Sequence, residues 1–452
     1  MISIDGQPIV TAARMRAAEE AVAPDADALY GLMERAGAGV ADAVRRLSAG
    51  AETLILCGPG NNGGDGYVAA RLLREWDHPV RVAAVEPRSA FGRRARAGWK
   101  GAVEPLEDAS PAPLLVDALF GTGLARPMVD AVTSSLRRLA EAARLRIAVD
   151  LPSGVGTDDG SVLSEPPRFD LTLALAALKP AHLLQPARRY MGQVRVLDIG
   201  VAVESDIHAL ARPVLPEPDP GSHKFSRGMV AVVAGSMPGA AELAALAAAR
   251  AGAGYVLLLG RSAQAPHAIV RRAWSAGALA DPRIGAVVIG PGLGRDDAAR
   301  ERFETVWASP HPLIIDGDAL RRFEPARRRA APVILTPHAG EFEHLFGAGE
   351  GSKIDRARAA AEASGAIVIF KGPDTVVAAP DGGVQVSSSA TSWLSTAGTG
   401  DVLAGACGAL LASGLNPLDA AAAAVWLHSE AARRLGPAFL ADDLANALAA
   451  CR

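Results

Sequence analysis

The chain has 452 residues, of which 50% are hydrophobic and 21% charged, with a formal net charge of −3. That is too long for one ordinary core and too apolar for a disordered chain, so two or three globular domains are expected. The near-balanced charge argues against a general binder of nucleic acid or anionic membrane, and only 4% aromatic residues with abundant alanine favours packed helices over β-sandwiches.

Three cysteines, Cys57, Cys407 and Cys451, cannot form a paired framework and show no CxxC spacing. A reducing compartment is expected, without structural zinc. Met1 to Val10 carries Asp5 and lacks a basic-then-apolar pattern, and no window reaches the ~18 uninterrupted apolar residues of a membrane span. The reading is a soluble cytoplasmic protein with no nucleic-acid or membrane partner.

Thr11 to Leu47 predicts two helices broken at Pro24. Thr53–Cys57 predicts a short buried strand running into the turn Gly58-Pro59-Gly60-Asn61-Asn62-Gly63-Gly64-Asp65-Gly66. A helix over 67–76 and a strand over 80–85 complete a βαβ unit. The turn matches GxGxxG at Gly58, Gly60 and Gly63, and Glu86 follows the next strand at the spacing of a ribose-binding acid, so a plain dinucleotide fold must be weighed. Against it, a pyrophosphate loop gains nothing from a carboxylate at its centre. Asn61, Asn62 and Asp65 suit a monovalent cation and sugar hydroxyls better. Two further apolar strands end in Asp and a glycine turn: Leu114–Asp117 before Gly121-Thr122-Gly123, and Ile147–Asp150 before Pro152-Ser153-Gly154. In an open parallel sheet all three loops meet at the carboxyl ends of the strands.

On these motifs, with Lys179-Pro180 downstream, residues 1–212 resemble the epimerase domain of the bifunctional NAD(P)H-hydrate repair enzymes. The resemblance implies a Rossmann-like three-layer αβα sandwich. It implies potassium at Asn62, Asp117 and Ser153. It also implies hydrated-dinucleotide contacts at Asn61, Asn62, Gly63, Gly64, Asp65, Gly121, Thr122, Gly123 and Asp150. Epimerising a hydrated nicotinamide requires C6–O cleavage or ring opening, hence a general acid or base, for which Asp150 is the candidate. Lys179 reads equally as an electrostatic helper or a surface lysine. Arg168, Arg188, Arg189 and Arg195 receive no role.

Arg212 to Gly221 holds four prolines in ten residues, which neither a helix nor a central strand continues. The domain boundary is set at a linker over 213–221, with a second domain over 222–452.

The second half repeats one theme. Met229–Val233 feeds a glycine turn over 234–240 and an Ala-rich helix from Ala241. Strands Ala286–Ile289, Leu313–Ile315, Val333–Leu335 and Ile367–Phe370 end in Gly290–Gly294, Asp316-Gly317-Asp318, Thr336–Glu341 and Lys371-Gly372-Pro373-Asp374-Thr375. This is the polar edge of a parallel sheet. No GxxxxGK[ST] occurs, which argues against a P-loop NTPase. Lys371 carries charge suited to nucleotide phosphate. His338 reads as a ligand contact or a helix cap. Asp316 and Asp318 read equally as water-mediated magnesium holders or ordinary turn aspartates.

Ala397-Gly398-Thr399-Gly400-Asp401 is a glycine turn feeding a helix, so its amides and the helix dipole favour an anion such as phosphate. A carboxylate there is better explained as a base for a hydroxyl proton, with N-capping the alternative. Asn416 and Pro417 mark the start of the final helix, with His428 structural.

From His223 onward these motifs resemble the ribokinase-like ADP/ATP-dependent NAD(P)HX dehydratases. The resemblance implies a ribokinase-like αβα domain with nucleotide at Lys371, Gly372, Pro373, Asp374, Thr375 and Gly400. It sets hydrated substrate against Ala240, Gly294, His338 and Asp401. The expected protein is a two-domain repair enzyme, an isomerase and lyase using potassium, magnesium and ADP, acting on NADHX or NADPHX and self-associating. The alternative is a ribokinase-like small-molecule kinase fused to a Rossmann-like nucleotide-binding module. The chain departs from the family pattern at Arg321, at Ala390-Thr391-Ser392, and after His223-Lys224, where a second early glycine is missing.

Overall fold

The computed structural model describes residues 1–262, 264–387 and 390–452. The chain separates into two compact units, Met1–Ala209 and Leu210–Arg452.

The first unit opens with α1 (Ala12–Val22) and α2 (Ala26–Leu47), capped by the side chains of Thr11 and Asp25, with Pro24 between them. Then follow β1 (Thr53–Cys57), α3 (Asn61–Glu75), β2 (Val80–Ala84), α4 (Ala90–Gly98), β3 (Val103–Pro105), β4 (Leu114–Ala118), α5 (Asp130–Ala142), β5 (Leu145–Val149), β6 (Leu171–Leu175), β7 (Gln193–Leu197) and β8 (Ile207–Ala209). The sheet runs β3-β2-β1-β4-β5-β6-β7 and is parallel throughout. Alternation along β1 builds both faces: Ile55 and Cys57 join the core under α2 and α3, while Leu54 and Leu56 join the core under α5. The strand order reverses between β1 and β4, and a crevice opens there at the carboxyl ends of the strands.

One local expectation is corrected. The stretch after β1 is a loop only as far as Gly60; α3 begins at Asn61, so Asn61 to Gly66 are helical rather than a turn before a helix at 67. Packing overrides the poor helix propensity of glycine. A Cβ on Gly63 would lie 2.0 Å from the Gly58 carbonyl oxygen, and one on Gly66 would lie 2.8 Å from Ala118.

The second unit contains β9 (Met229–Val233), α6 (Pro238–Arg250), β10 (Tyr255–Leu259), β11 (Val270–Arg272), β12 (Ile284–Ile289), α7 (Asp297–Ala308), β13 (Leu313–Ile315), β14 (Val333–Leu335), α8 (Ala339–Phe346), α9 (Lys353–Ser364), β15 (Ile367–Phe370), β16 (Val376–Ala378), β17 (Val384–Val386), α10 (Thr399–Ala412), α11 (Pro417–Leu435) and α12 (Ala441–Ala447). Its strands follow the order β11-β10-β9-β12-β13-β14-β15-β16-β17, parallel as far as β15 and antiparallel beyond. α6, α10, α11 and α12 share one core with Val230, Val232, Val288, Ile314 and Ile369. Phe370 points the other way and stacks on Phe342 of α8 at 4.0 Å, so helices cover both faces. Alanine and glycine let α6 and α10 approach closely: a Cβ on Gly405 would stand 2.0 Å from the Ala244 carbonyl oxygen.

Two further boundaries differ from expectation. α6 starts at Pro238, not Ala241, because proline suits the first helical position. α11 has the predicted Asn416 cap and Pro417, but α12 follows it, so α11 is not the last helix.

Candidate active sites

In the first unit a cavity of about 610 Å³ occupies the crevice between β1 and β4. Asn61, Asn62 and Asp65 reach it from α3, Gly121, Thr122 and Gly123 from the loop after β4, and Asp150 from the end of β5. Glu19 and Arg16 of α1, Arg88 and Lys179 complete much of the wall. Asn61 and Asp65 are one helical turn apart and therefore share a face. Gly63 and Gly64 are buried and do not line the cavity; Gly64 backs onto Met33. Glu86 is exposed and outside the wall.

Asp150 has a left-handed backbone, φ 61, a conformation Asp tolerates better than most residues. Its surroundings hold it there. The Lys179 ammonium donates to Asp150 Oδ1 at 2.6 Å and to the Leu175 carbonyl at 2.8 Å, and the Leu175 amide donates to the same Oδ1 at 3.3 Å. His182 Nδ1 accepts from the Lys179 amide at 2.8 Å, so Nε2 carries the ring proton and donates to the Asp150 carbonyl at 2.6 Å. Burial holds that imidazole down at about 4, hence neutral. Burial alone would raise the Asp150 carboxyl, but the Lys179 ammonium outweighs it and keeps it below the ordinary range. Lys179 is only 1% exposed, so the surface-lysine alternative is excluded.

Behind this wall lie Asp117 and Ser153, both fully buried. Asp117 accepts from Ser153 Oγ at 2.7 Å, the Ser153 amide at 2.9 Å and the Leu119 amide at 3.1 Å. Burial pushes its carboxyl up to about 6, and no cationic side chain contributes to that balance. The Asn62 amide nitrogen is buried without a hydrogen-bond partner among the described residues.

In the second unit two cavities, about 630 and 450 Å³, flank the first turn of α10. The larger is lined by Lys371, Gly372, Pro373, Thr375, Thr399 and Gly400; the smaller by Gly290, Gly292, Asp318, Arg321, Glu341 and Asp401. His338 lines both. Gly398, at φ 90, is the N-cap of α10 and supplies no side-chain cap, so Asp401 stands in an uncapped first turn and does not cap it. Burial first, then the Asp316 carboxylate, pushes the Asp401 carboxyl up to about 7, against the pull of Lys371.

Lys371 is paired, not solvent-facing. Its ammonium lies 3.1 Å from Asp316 Oδ1 and 4.0 Å from Glu341 Oε2. Burial alone would lower it, but Asp316 and Glu341 hold it above the usual lysine range. Asp316 also accepts from Thr336 Oγ1 at 2.5 Å, and Asp318 accepts from the Gly294 amide at 3.0 Å and pairs with Arg295 at 3.2 Å. Both aspartates are thus engaged inside the protein, and no cluster of three His, Cys, Asp or Glu suited to a metal occurs among the described residues.

His338 is the cap of α8, its Nδ1 accepting from the Glu341 amide, and it also lines both cavities. His428 is buried and bonds the Thr399 carbonyl at 2.8 Å. Ala240, Gly294 and Asp374 sit one layer back. Ala240 lies against Gly292, Gly294 orients Asp318, and Asp374 pairs with Lys353 at 2.6 Å. Sequence reading missed Glu19, Arg16, Arg88 and Lys353.

Fold and sites together define a two-unit α/β protein of enzymatic character, each unit presenting a cavity lined by a buried or half-buried carboxylate, Asp150 at the end of β5 and Asp401 in the first turn of α10. Sequence comparison gives the family. The model described as NAD(P)H-hydrate dehydratase matches residues 230–450, and that of the YjeF-related protein N-terminus matches residues 29–181. The bifunctional NAD(P)H-hydrate repair enzyme Nnr of Salinibacter ruber is 35% identical, covering 95% of this chain and 92% of the relative. Its Escherichia coli counterpart is 32% identical, covering 93% and 89%. The solved ADP/ATP-dependent NAD(P)H-hydrate dehydratase of Bacillus subtilis, crystallised with ATP and Mg2+, aligns over 52% of this chain and 93% of its own at 31% identity, TM-score 0.47. The chain belongs to the bifunctional NAD(P)H-hydrate repair enzymes.

Proposed function

We propose that the first unit interconverts R- and S-NAD(P)HX and that the second dehydrates S-NAD(P)HX to NAD(P)H at the expense of ADP, releasing AMP and phosphate. The observation that carries the second half is the split at α10. Consecutive residues, Gly400 and Asp401, front separate cavities. A nucleotide on Lys371–Thr375 would direct its terminal phosphate past the Gly400 amide. A hydroxyl in the other cavity would meet Asp401, a base poised near neutrality. The helix N-terminus and Lys371 stabilise the charge of the transferring phosphoryl group. Loss of phosphate from C6 together with a proton from C5 then forms the C5=C6 bond and regenerates the dihydronicotinamide.

In the first unit, Asp150 is kept ionised by Lys179 and serves as base at C6–O, while Asn61, Gly121, Thr122 and Gly123 hold the ring. Potassium fits Asn62, Asp117 and Ser153: the donors are oxygens, and a buried carboxylate without a cationic partner suits a monovalent ion. When bound, the ion supplies that missing charge and steadies the loops after β4 and β5. Magnesium is assigned to the phosphates of the nucleotide rather than to a protein carboxylate cage, since Asp316 and Asp318 are occupied. Residence in the cytoplasm and self-association belong to the same proposal.

The test is spectrophotometric. Mixed R- and S-NADHX with potassium, magnesium and ADP are followed by the absorbance of restored dihydronicotinamide. Full conversion, faster than spontaneous epimerisation, supports both sites. Arrest at the S fraction removes the epimerase. A stable phosphorylated product, or no conversion with either ADP or ATP, removes the central reading and favours a kinase.

A further inference from the structure

Asp65 lines the first cavity from α3, and the foregoing leaves its chemistry unused. It is 7% exposed and lines the cavity, and its carboxyl makes no hydrogen bond to any described residue. Its neighbours are unfavourable to a second negative charge. Asp150 and Glu19 are carboxylates facing the same space, and Lys179, the cation that acts on Asp65, is committed to Asp150 and the Leu175 carbonyl. Arg16 and Arg88 stand on the wall, and Cys57 lies buried close by. Burial first, then Asp150 and Glu19, raise the Asp65 carboxyl well above the ordinary range. A carboxylic acid with no acceptor in the protein must find one in the cavity.

We propose that Asp65, which lines the cavity beside Asp150, is the general acid of the epimerase site, donating to the 6-hydroxyl oxygen of the hydrated nicotinamide while Asp150 acts as the base. The proposal rests on the epimerase reading. Asp65 gives its proton to the hydroxyl oxygen, the C6–O bond breaks, and water departs. The ring-nitrogen lone pair forms the N1=C6 bond of an iminium cation, and Asp65 is left ionised. Water adds to the opposite face of C6, its proton passes to Asp150, and the N1=C6 electrons return to nitrogen. Proton return from Asp150 to Asp65 through cavity water restores the site. Two carboxyl groups held in opposite protonation states by their surroundings are what such a sequence requires.

The experiment uses the full chain with purified R-NADHX and reads kcat and KM for epimerisation, with dehydration of S-NADHX as the internal control. Asp65→Asn preserves shape and removes the proton; kcat is expected to fall about 100-fold or more with KM changed less than about threefold. Wild-type kcat in Asp65→Asn, or a loss confined to KM, overturns the proposal. A second measurement needs no variant. Wild-type turnover in H2(18)O is expected to place solvent oxygen on C6 of the epimerised product, read by mass spectrometry, and retention of the original oxygen overturns C6–O cleavage and the acid role with it. A wild-type enzyme that dehydrates S-NADHX but never interconverts the epimers instead removes the epimerase reading itself.

Discussion

The ammonium of Lys179 sits 2.6 Å from Asp150 Oδ1, with the two side chains 1% and 7% exposed. Lys179→Met strands a buried carboxylate, and the first unit is expected to lose about 3–5 kcal/mol in urea unfolding, much of it recovered in Lys179→Met/Asp150→Asn. The pH dependence has a definite sign. The folded Asp150 carboxyl lies below its unfolded value of about 3.9. Its contribution is therefore full above that value and fades as pH falls through the lower folded one. Acid titration of wild type and Lys179→Met should differ fully above about pH 4 and converge only as pH falls through the lower folded value of Asp150.

Dehydration should depend on pH through Asp401. A base acts when ionised, and this carboxyl is pushed up to about 7 by burial and by Asp316. kcat/KM for S-NADHX is expected to rise with pH through about 7 and level off above it. Asp316→Asn removes a repelling charge and frees Lys371, so the limb should move to lower pH. Asp401→Asn should cost about 10²–10⁴ in kcat, with epimerisation unchanged.

Lys353 stands at the start of α9 and braces the turn Lys371–Thr375, where the nucleotide is proposed to bind. Its ammonium lies 2.6 Å from Asp374 Oδ1, 3.3 Å from the Lys371 carbonyl and 4.6 Å above the Phe370 ring. Lys353→Met should raise the KM for ADP by about tenfold, the size of a lost charged hydrogen bond, with less effect on the KM for S-NADHX. Equal changes in both would remove the positioning role.

Packing of α6 on α10 depends on a missing side chain. Gly405→Ala would press a methyl group onto the Ala244 carbonyl and should destabilise the second unit by about 1–3 kcal/mol. Gly239→Ala, on the same α6 with open space at its Cβ position, is the control and should be neutral or slightly stabilising in thermal melting.

Much of this was legible in the sequence because a parallel strand is a short apolar run with a polar end. Thr53–Cys57, Met229–Val233, Leu313–Ile315, Val333–Leu335 and Ile367–Phe370 have the expected bounds, and Asp150 and Lys371 follow their strands as predicted, whereas Asp401 lies within the first turn of α10, which begins at Thr399, and not in the turn before it. What sequence did not reveal depended on tertiary contact. The helical state of Asn61–Gly66 follows from the close approach of Gly63 to Gly58 and of Gly66 to Ala118, which local propensity opposes. Lys179 could not be told from a surface lysine in the sequence because its partner lies 29 residues away. Glu19 and Lys353 reach their sites from helices whose own sequences carry no motif.

Asp401 rides on α10, whose residues from Val402 to Leu411 are all buried and which packs against α6 and α11 within the main core of its unit. A reactive group mounted on the interior pillar of a domain cannot wander without dismantling the domain. Its alignment is therefore as durable as the fold, and heat should extinguish dehydration at the same temperature at which the second unit melts. Adaptation of substrate choice would fall instead to the rim, where Arg321 and His338 can change without disturbing that pillar.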